Sequence, residues 1–145
     1  MSQVKHGLES CVADPELCTE AEITAMVHAF YEQVRLDPQL GPIFNSKIHD
    51  WGQHLAKLVD FWSSLLRGTG RFAGTPMSKH IAMTDLSAAL FQRWLALFHE
   101  VTAEQANRAM AQSADAMAER IAQSLWYGYQ LNRHPGVSPK ELAHG

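Results

Sequence analysis

The sequence predicts an all-α domain, and three observations carry that prediction. Every sustained apolar run repeats with the period of a helix, and none alternates with the period of two that marks a strand. Helix-start residues (Thr19, Asp50, Thr75, Ser87 and Thr102) stand just ahead of those runs. The breakers Leu36-Asp37-Pro38, Gly68-Thr69-Gly70 and His134-Pro135-Gly136 fall between the runs, not inside them. Four or five helices with short connections follow.

Residues 1–18 lack periodicity and contain Gly7 and Pro15, so an irregular extension is expected there. Thr19-Glu20-Ala21-Glu22 reads as a capping box, in which the Thr19 hydroxyl and the Glu22 carboxylate each take one of the backbone N–H groups at the helix start. Ile23, Met26, Val27, Phe30 and Val34 then share one helical face, with Tyr31 at its edge. Pro38 ends this helix, because the residue before a proline avoids helical geometry. Residues 38–46 read as a compact corner whose Leu40, Ile43 and Phe44 are too apolar for a free loop.

Asp50 is the expected cap of a helix running to Arg67. Trp51, His54, Leu55, Leu58, Phe61, Trp62, Leu65 and Leu66 make its apolar stripe, and His54 is the one polar group in it. After a glycine-bearing loop, Thr75-Pro76 starts a short helix that carries His80 among Pro76, Met77, Ile81 and Met83. Ser87 caps the next long helix, with Leu90, Phe91, Trp94, Leu97, Phe98 and Val101 inward and His99 turned to solvent. Thr102-Ala103-Glu104-Gln105 reads as a further capping box, opening a helix to about Leu131 with Ala106, Met110, Ala114, Met117, Ile121 and Leu125 as its stripe. The expected organisation is an extension over 1–18, a helical domain over 19–131 and a mobile tail over 132–145.

Composition narrows the function. A chain of 145 residues, 46% of them hydrophobic, is long enough to bury one real core. A net charge of −3 without a Lys/Arg run argues against general nucleic-acid or acidic-membrane binding. No apolar run approaches the roughly 20 residues of a membrane span, and Met1–Glu9 lacks the apolar core of a secretory signal. A cytoplasmic protein is the default expectation. The two cysteines, Cys11 and Cys18, are seven apart, which rules out a CxxCH haem attachment and a four-cysteine zinc site. Both are expected to be free thiols.

The unusual content is Tyr31, Phe44, His54, Trp62, His80 and Trp94, aromatic and histidine side chains on inward faces. On that pattern alone the plainer reading, an aromatic core with two hydrogen-bonded histidines, is favoured. The same set also suits a haem pocket, which needs an apolar slot, one axial imidazole and a polar group on the opposite face. The other histidines (His6, His28, His49, His99, His134 and His144) are read as solvated.

The blocks Phe30-Tyr31-Glu32-Gln33-Val34, Leu40-Gly41-Pro42-Ile43-Phe44-Asn45, His54-Leu55-Ala56-Lys57 with Phe61-Trp62, Lys79-His80, and Phe91-Gln92-Arg93-Trp94-Leu95-Ala96-Leu97-Phe98 occur in the order of a truncated haemoglobin. The chain resembles that family over most of residues 20–131, and its third group most closely, since the glycine pairs of the first group's helix junctions are missing. The resemblance implies a two-over-two helical sandwich around a non-covalent haem b. It implies His80 as the iron ligand, Tyr31, His54 and Trp94 at the distal site, Phe44 packed on the haem, and Leu58 and Trp62 on the distal wall. Lys79, Arg71 and Lys57 are candidate cations for the haem propionates. Tyr31 and Trp94 pair large apolar bodies with hydrogen-bond donors, which suits a dry pocket that holds O₂. His54 remains open among donating to ligand, gating the pocket and binding iron.

Three functions follow as expectations. The first is a haem protein that binds O₂, NO, CO or another small ligand. The second is an enzyme on the same haem, acting on NO, nitrite or peroxide with an external reductase. The third is a haem-free helical interaction module.

Overall fold

The computed structural model of the protein describes residues 13–72 and 86–142. These form five helices: α1 (Glu20–Leu36), α2 (Gly41–Lys47), α3 (Trp51–Arg67), α4 (Ala88–Ala103) and α5 (Arg108–Arg133). No strand occurs among the described residues. Helix α1 packs on α3 and α4 packs on α5, and the two pairs meet through α1–α4 and α3–α5 contacts. No helix among the described residues is long and apolar enough to cross a membrane.

Local hydrogen bonding accounts for most of the helix starts. The capping box is formed: Thr19 Oγ1 accepts from Glu22 N at 3.1 Å, and Glu22 Oε1 accepts from Thr19 N at 2.9 Å. Asp50 caps α3 through Gln53 N at 3.1 Å, and Ser87 caps α4 through Leu90 N at 3.3 Å. Gly68, at φ 72°, closes α3 in the left-handed region.

Two boundaries differ from the sequence reading. The corner at 38–46 contains a helix of about two turns, α2, with Pro42 in its first turn where a missing N–H costs nothing. Thr102 is no cap. It lies inside α4, 1% exposed, with its hydroxyl shared between the His99 carbonyl at 3.1 Å and Asp115 Oδ1 at 2.7 Å. The cap of α5 is Asn107, whose Oδ1 accepts from Met110 N at 3.0 Å. Its Nδ2 also donates to Leu17 O and Glu22 Oε1, so the choice of cap is made by partners some 85 to 90 residues away in sequence.

The main core gathers Ile23, Met26, Val27, Phe30 and Val34 of α1, Trp62 and Leu66 of α3, Leu97 and Phe98 of α4, and Met110 and Ala114 of α5. At its centre Trp62 stacks on Phe98 (5.1 Å, 15°), and Phe98 stacks on Trp94 (5.7 Å, 11°). Phe30 meets Trp94 and Phe98 edge-on at 5.3 and 5.0 Å.

The start of α1 is tied to the end of α3. Glu20 takes Ser63 Oγ at 2.6 Å, Arg71 Nη2 at 2.6 Å and the Arg67 guanidinium. Desolvation pushes its carboxyl upward, but the hydrogen bonds from Ser63, Arg71 and Arg67 outweigh it and bring the pKa down to about 2. Residues 13–18 pack here too: Asp14 N donates to Leu66 O at 2.8 Å, and Cys18 is buried. Burial, with the Glu22 charge next, raises the Cys18 thiol to about 11. Cys11 lies outside the described residues.

At the C-terminal end, residues 134–142 lie back along α5. The Gln130 amide holds Lys140 by two bonds to its backbone, each 2.9 Å, and Leu142 is buried beside Phe91, Ala122 and Leu125. His99 is not free in solvent: its Nδ1 is 2.8 Å from Asp115 Oδ1 and its Nε2 is 3.3 Å from Glu119 Oε2.

Candidate functional site

Four of the six singled-out aromatic and histidine side chains converge between α1, α2, α3 and α4. Tyr31 comes from the inner face of α1 and is buried. Phe44 reaches its ring from α2, with centroids 6.0 Å apart. His54 stands edge-on to Tyr31 at 6.4 Å and to Trp51 at 5.7 Å. Trp94, on α4, meets Phe30 edge-on at 5.3 Å, as Tyr31 does at 4.7 Å, which sets its indole beside the Tyr31 phenol. Burial raises the Tyr31 pKa, and the Trp94 indole offsets only part of that, so the phenol keeps its proton throughout the neutral range.

Indole N–H is a donor only, so toward Trp94 the Tyr31 oxygen can act only as an acceptor, and the phenol proton can serve a different partner.

Two neighbours hold this arrangement. Trp51 Nε1 donates to Asn45 Oδ1 at 3.2 Å, and Arg35 lies over the Trp51 ring at 4.6 Å, joining α1, α2 and α3 beside Tyr31. Gly41 permits the close approach of α2 to α1: a Cβ there would lie 2.7 Å from the Arg35 carbonyl oxygen. Sequence reasoning treated Trp51 as packing, and the contact to His54 gives that packing a place in the site.

Trp62 stands apart from the group. It is 2% exposed and reaches Trp94 only through the intervening Phe98 ring. Leu58 is half-buried on the apolar stripe of α3. Arg71 pairs with Glu20 and Asp60. His80 and Lys79 lie outside the described residues. An open depression of about 780 Å³ borders Tyr31 between α1, α2 and the start of α3, but His54, Leu58 and Trp94 do not line it.

Phe44, Leu55, Leu58, Phe61, Trp94 and Met117 pack against the core with one side and remain half-buried. Such side chains are the apolar walls that a flat ring the size of haem can cover, and Tyr31 adds a proton donor among them. These residues fit that group.

The model of the bacterial-like globin family matches residues 16–125. A group 3 truncated haemoglobin of Campylobacter jejuni, ctb, is 34% identical over 122 residues, covering 79% of this chain and 95% of the relative. The chain belongs to the truncated haemoglobins. The crystal structure of a group III truncated haemoglobin from Campylobacter jejuni superposes with a TM-score of 0.64 at 33% identity, over 78% of this chain and 95% of that one. The fold is therefore an all-α truncated globin, and the α1–α3 and α4–α5 pairs are its two layers. Membership implies a haem cofactor and the binding of small diatomic ligands such as O₂.

Proposed function

We propose that the protein holds a non-covalent haem b through His80 and binds O₂ on the opposite face, under Tyr31, His54 and Trp94. The observation that carries the reading is a buried phenol, Tyr31, set among Phe44, His54 and Trp94. The lack of a CxxCH sequence supports non-covalent attachment.

If bound, haem would supply an iron able to take a small ligand. The chain's residues do the rest. His80, the histidine of the short helix expected to start at Thr75-Pro76, offers its imidazole as the iron ligand. Phe44, Leu58 and Trp94 exclude water, which strengthens every polar contact in the pocket. Trp94 orients the Tyr31 hydroxyl, and Tyr31 holds its proton toward a ligand that gathers negative charge. This donor favours O₂ over CO. Trp62 supports the wall from behind through Phe98. His54, edge-on to Tyr31, stands where it can add a second donor. Lys79, next to His80 in sequence, is the cation we assign to a propionate.

Ligand-release kinetics test the reading. Tyr31→Phe removes one donor and should speed O₂ release by about two- to tenfold, with CO release little changed. Equal effects on the two gases would contradict a donor role for Tyr31.

A further inference from the structure

We infer that Asp37 and Arg93 are positioning residues for the distal donors: their ion pair sets the register of α4 against α1 at which the Trp94 indole meets the Tyr31 hydroxyl. The inference rests on the reading of Tyr31 as the distal donor, and its test separates the two.

Asp37 is the last capping residue of α1, six positions beyond Tyr31, and its side chain is 2% exposed. Its Oδ1 accepts from Arg93 Nε at 2.9 Å and Nη2 at 2.5 Å. Its Oδ2 accepts from the backbone N–H groups of Gln39 at 3.0 Å and Leu40 at 2.9 Å. Four donors saturate a carboxylate, so this buried charge is fully satisfied in one arrangement and in no other. Arg93 is the residue immediately before Trp94 on α4.

One carboxylate thus joins the three elements that carry the site. It ends α1, which bears Tyr31. Its carbonyl oxygen accepts from Gly41 N at 2.8 Å and its side chain holds Gln39 and Leu40, so it places the start of α2, which bears Phe44. Through Arg93 it anchors α4 beside Trp94.

Beside this ion pair, Phe30 of α1 packs edge-on against Trp94 and Phe98 of α4, an apolar contact. Apolar packing is non-directional and permits a small slide or rotation. A guanidinium fork on a buried carboxylate does not, because both donors must find the same oxygen. Register is the best-attested use of a buried ion pair. A shift of a fraction of a turn in α4 would carry the Trp94 indole off the Tyr31 hydroxyl while leaving Phe30 packed.

The test reads the Trp94 indole proton by NMR in the purified full chain under CO, where reduced haem iron is diamagnetic. The resonance is assigned with Trp94→Phe. Arg93→Gln removes the fork from a half-exposed position and is expected to fold. Asp37→Asn removes the carboxylate itself, and Arg93→Lys keeps the charge without the fork. The expected result is that Arg93→Gln moves the indole proton toward the position of an unbonded indole and speeds its exchange with solvent. Arg93→Lys restores little of the shift. Glu20→Gln, which loosens the tie of α1 to the end of α3 through Ser63, Arg67 and Arg71, is the stability control and leaves the resonance in place. An indole proton unmoved in Arg93→Gln, or moved as far in Glu20→Gln, overturns the inference. O₂ release is measured on the same variants. Faster release in Arg93→Gln, with no further increase on adding Trp94→Phe, supports both readings. A shifted indole with unchanged O₂ release keeps the positioning role and removes the distal role of Tyr31.

Discussion

Helices α1 and α3 are each 17 residues long and lie against one another, yet they use their apolar stripes differently. The stripe of α1 is the weaker pattern, but Ile23, Met26, Val27, Phe30 and Val34 are all 0–1% exposed. The stripe of α3 is the stronger, and only Trp62 and Leu66 of it are buried; Leu55, Leu58, Phe61 and Leu65 stay half-buried. Helix α1 is scaffold, satisfied on its inner face by the chain itself. Helix α3 is a wall, with its C-terminal end in the core and the rest of its stripe half-covered. That division places the rigid packing beside Tyr31 and leaves apolar surface that a haem, held as proposed, would cover.

The largest expected effect tests that division directly. Phe30→Ala should lower stability by about 3–5 kcal/mol in urea denaturation, with or without haem, because its cavity lies in the filled core. Leu58→Ala should cost roughly 1–2 kcal/mol without haem, since the side chain is only half covered, and clearly more with it. Equal penalties in the two states for Leu58→Ala would erase the distinction between wall and scaffold.

Gly41→Ala comes next. The new methyl would meet the Arg35 carbonyl oxygen at 2.7 Å, and backbone cannot step aside as a flexible side chain can. A loss of about 1–3 kcal/mol is expected, with weaker packing of Phe44 on Tyr31 visible in the aromatic circular dichroism. A neutral outcome would show that α2 does not brace α1.

A smaller effect appears on acidification. Glu20 binds the two helices together, and its folded pKa of about 2 lies below the unfolded value near 4.3. The unfolded chain therefore takes up its proton first. The contribution is fully present above about pH 5 and is lost as pH falls toward 2. Glu20→Gln should flatten that part of the stability profile. A profile unchanged by the substitution would detach Glu20 from the α1–α3 tie.

The smallest concerns Cys18, where stability is unaffected and only a rate moves. In a Cys11→Ser variant, the remaining thiol should resist a thiol reagent at pH 8 until the protein unfolds, because burial raises it to about 11. Rapid native labelling would mean that the packing of residues 13–18 on α3 is loose.

What could be read from the sequence follows the range of the interactions involved. Thr19 with Glu22, Asp50 and Ser87 were legible because a cap is a bond across three residues. The faces of α1 and α3 were legible from their period. Thr102 was misread because its hydroxyl is claimed by Asp115 on another helix, and Asn107 was missed because its competing partners lie in the chain's first quarter. The clasp of Gln130 on Lys140 and the burial of Leu142 gave no sign in a stretch rich in Pro and Gly. At the site, periodicity put His54 in an apolar stripe and Tyr31 at an edge, and family resemblance assigned their roles. Asp37 and Arg93, 56 residues apart, carry no local signature at all.

The account stands on a haem held between the half-covered stripe of α3 and Trp94, with His80 as the iron ligand. Titrating the full chain with haemin while recording its absorption, alongside His80→Ala, tests it most directly. The account predicts saturation at one haem per chain with a sharp Soret band, and a weaker, altered band for the variant. No Soret band above that of free haemin, or identical spectra for the two proteins, would contradict it.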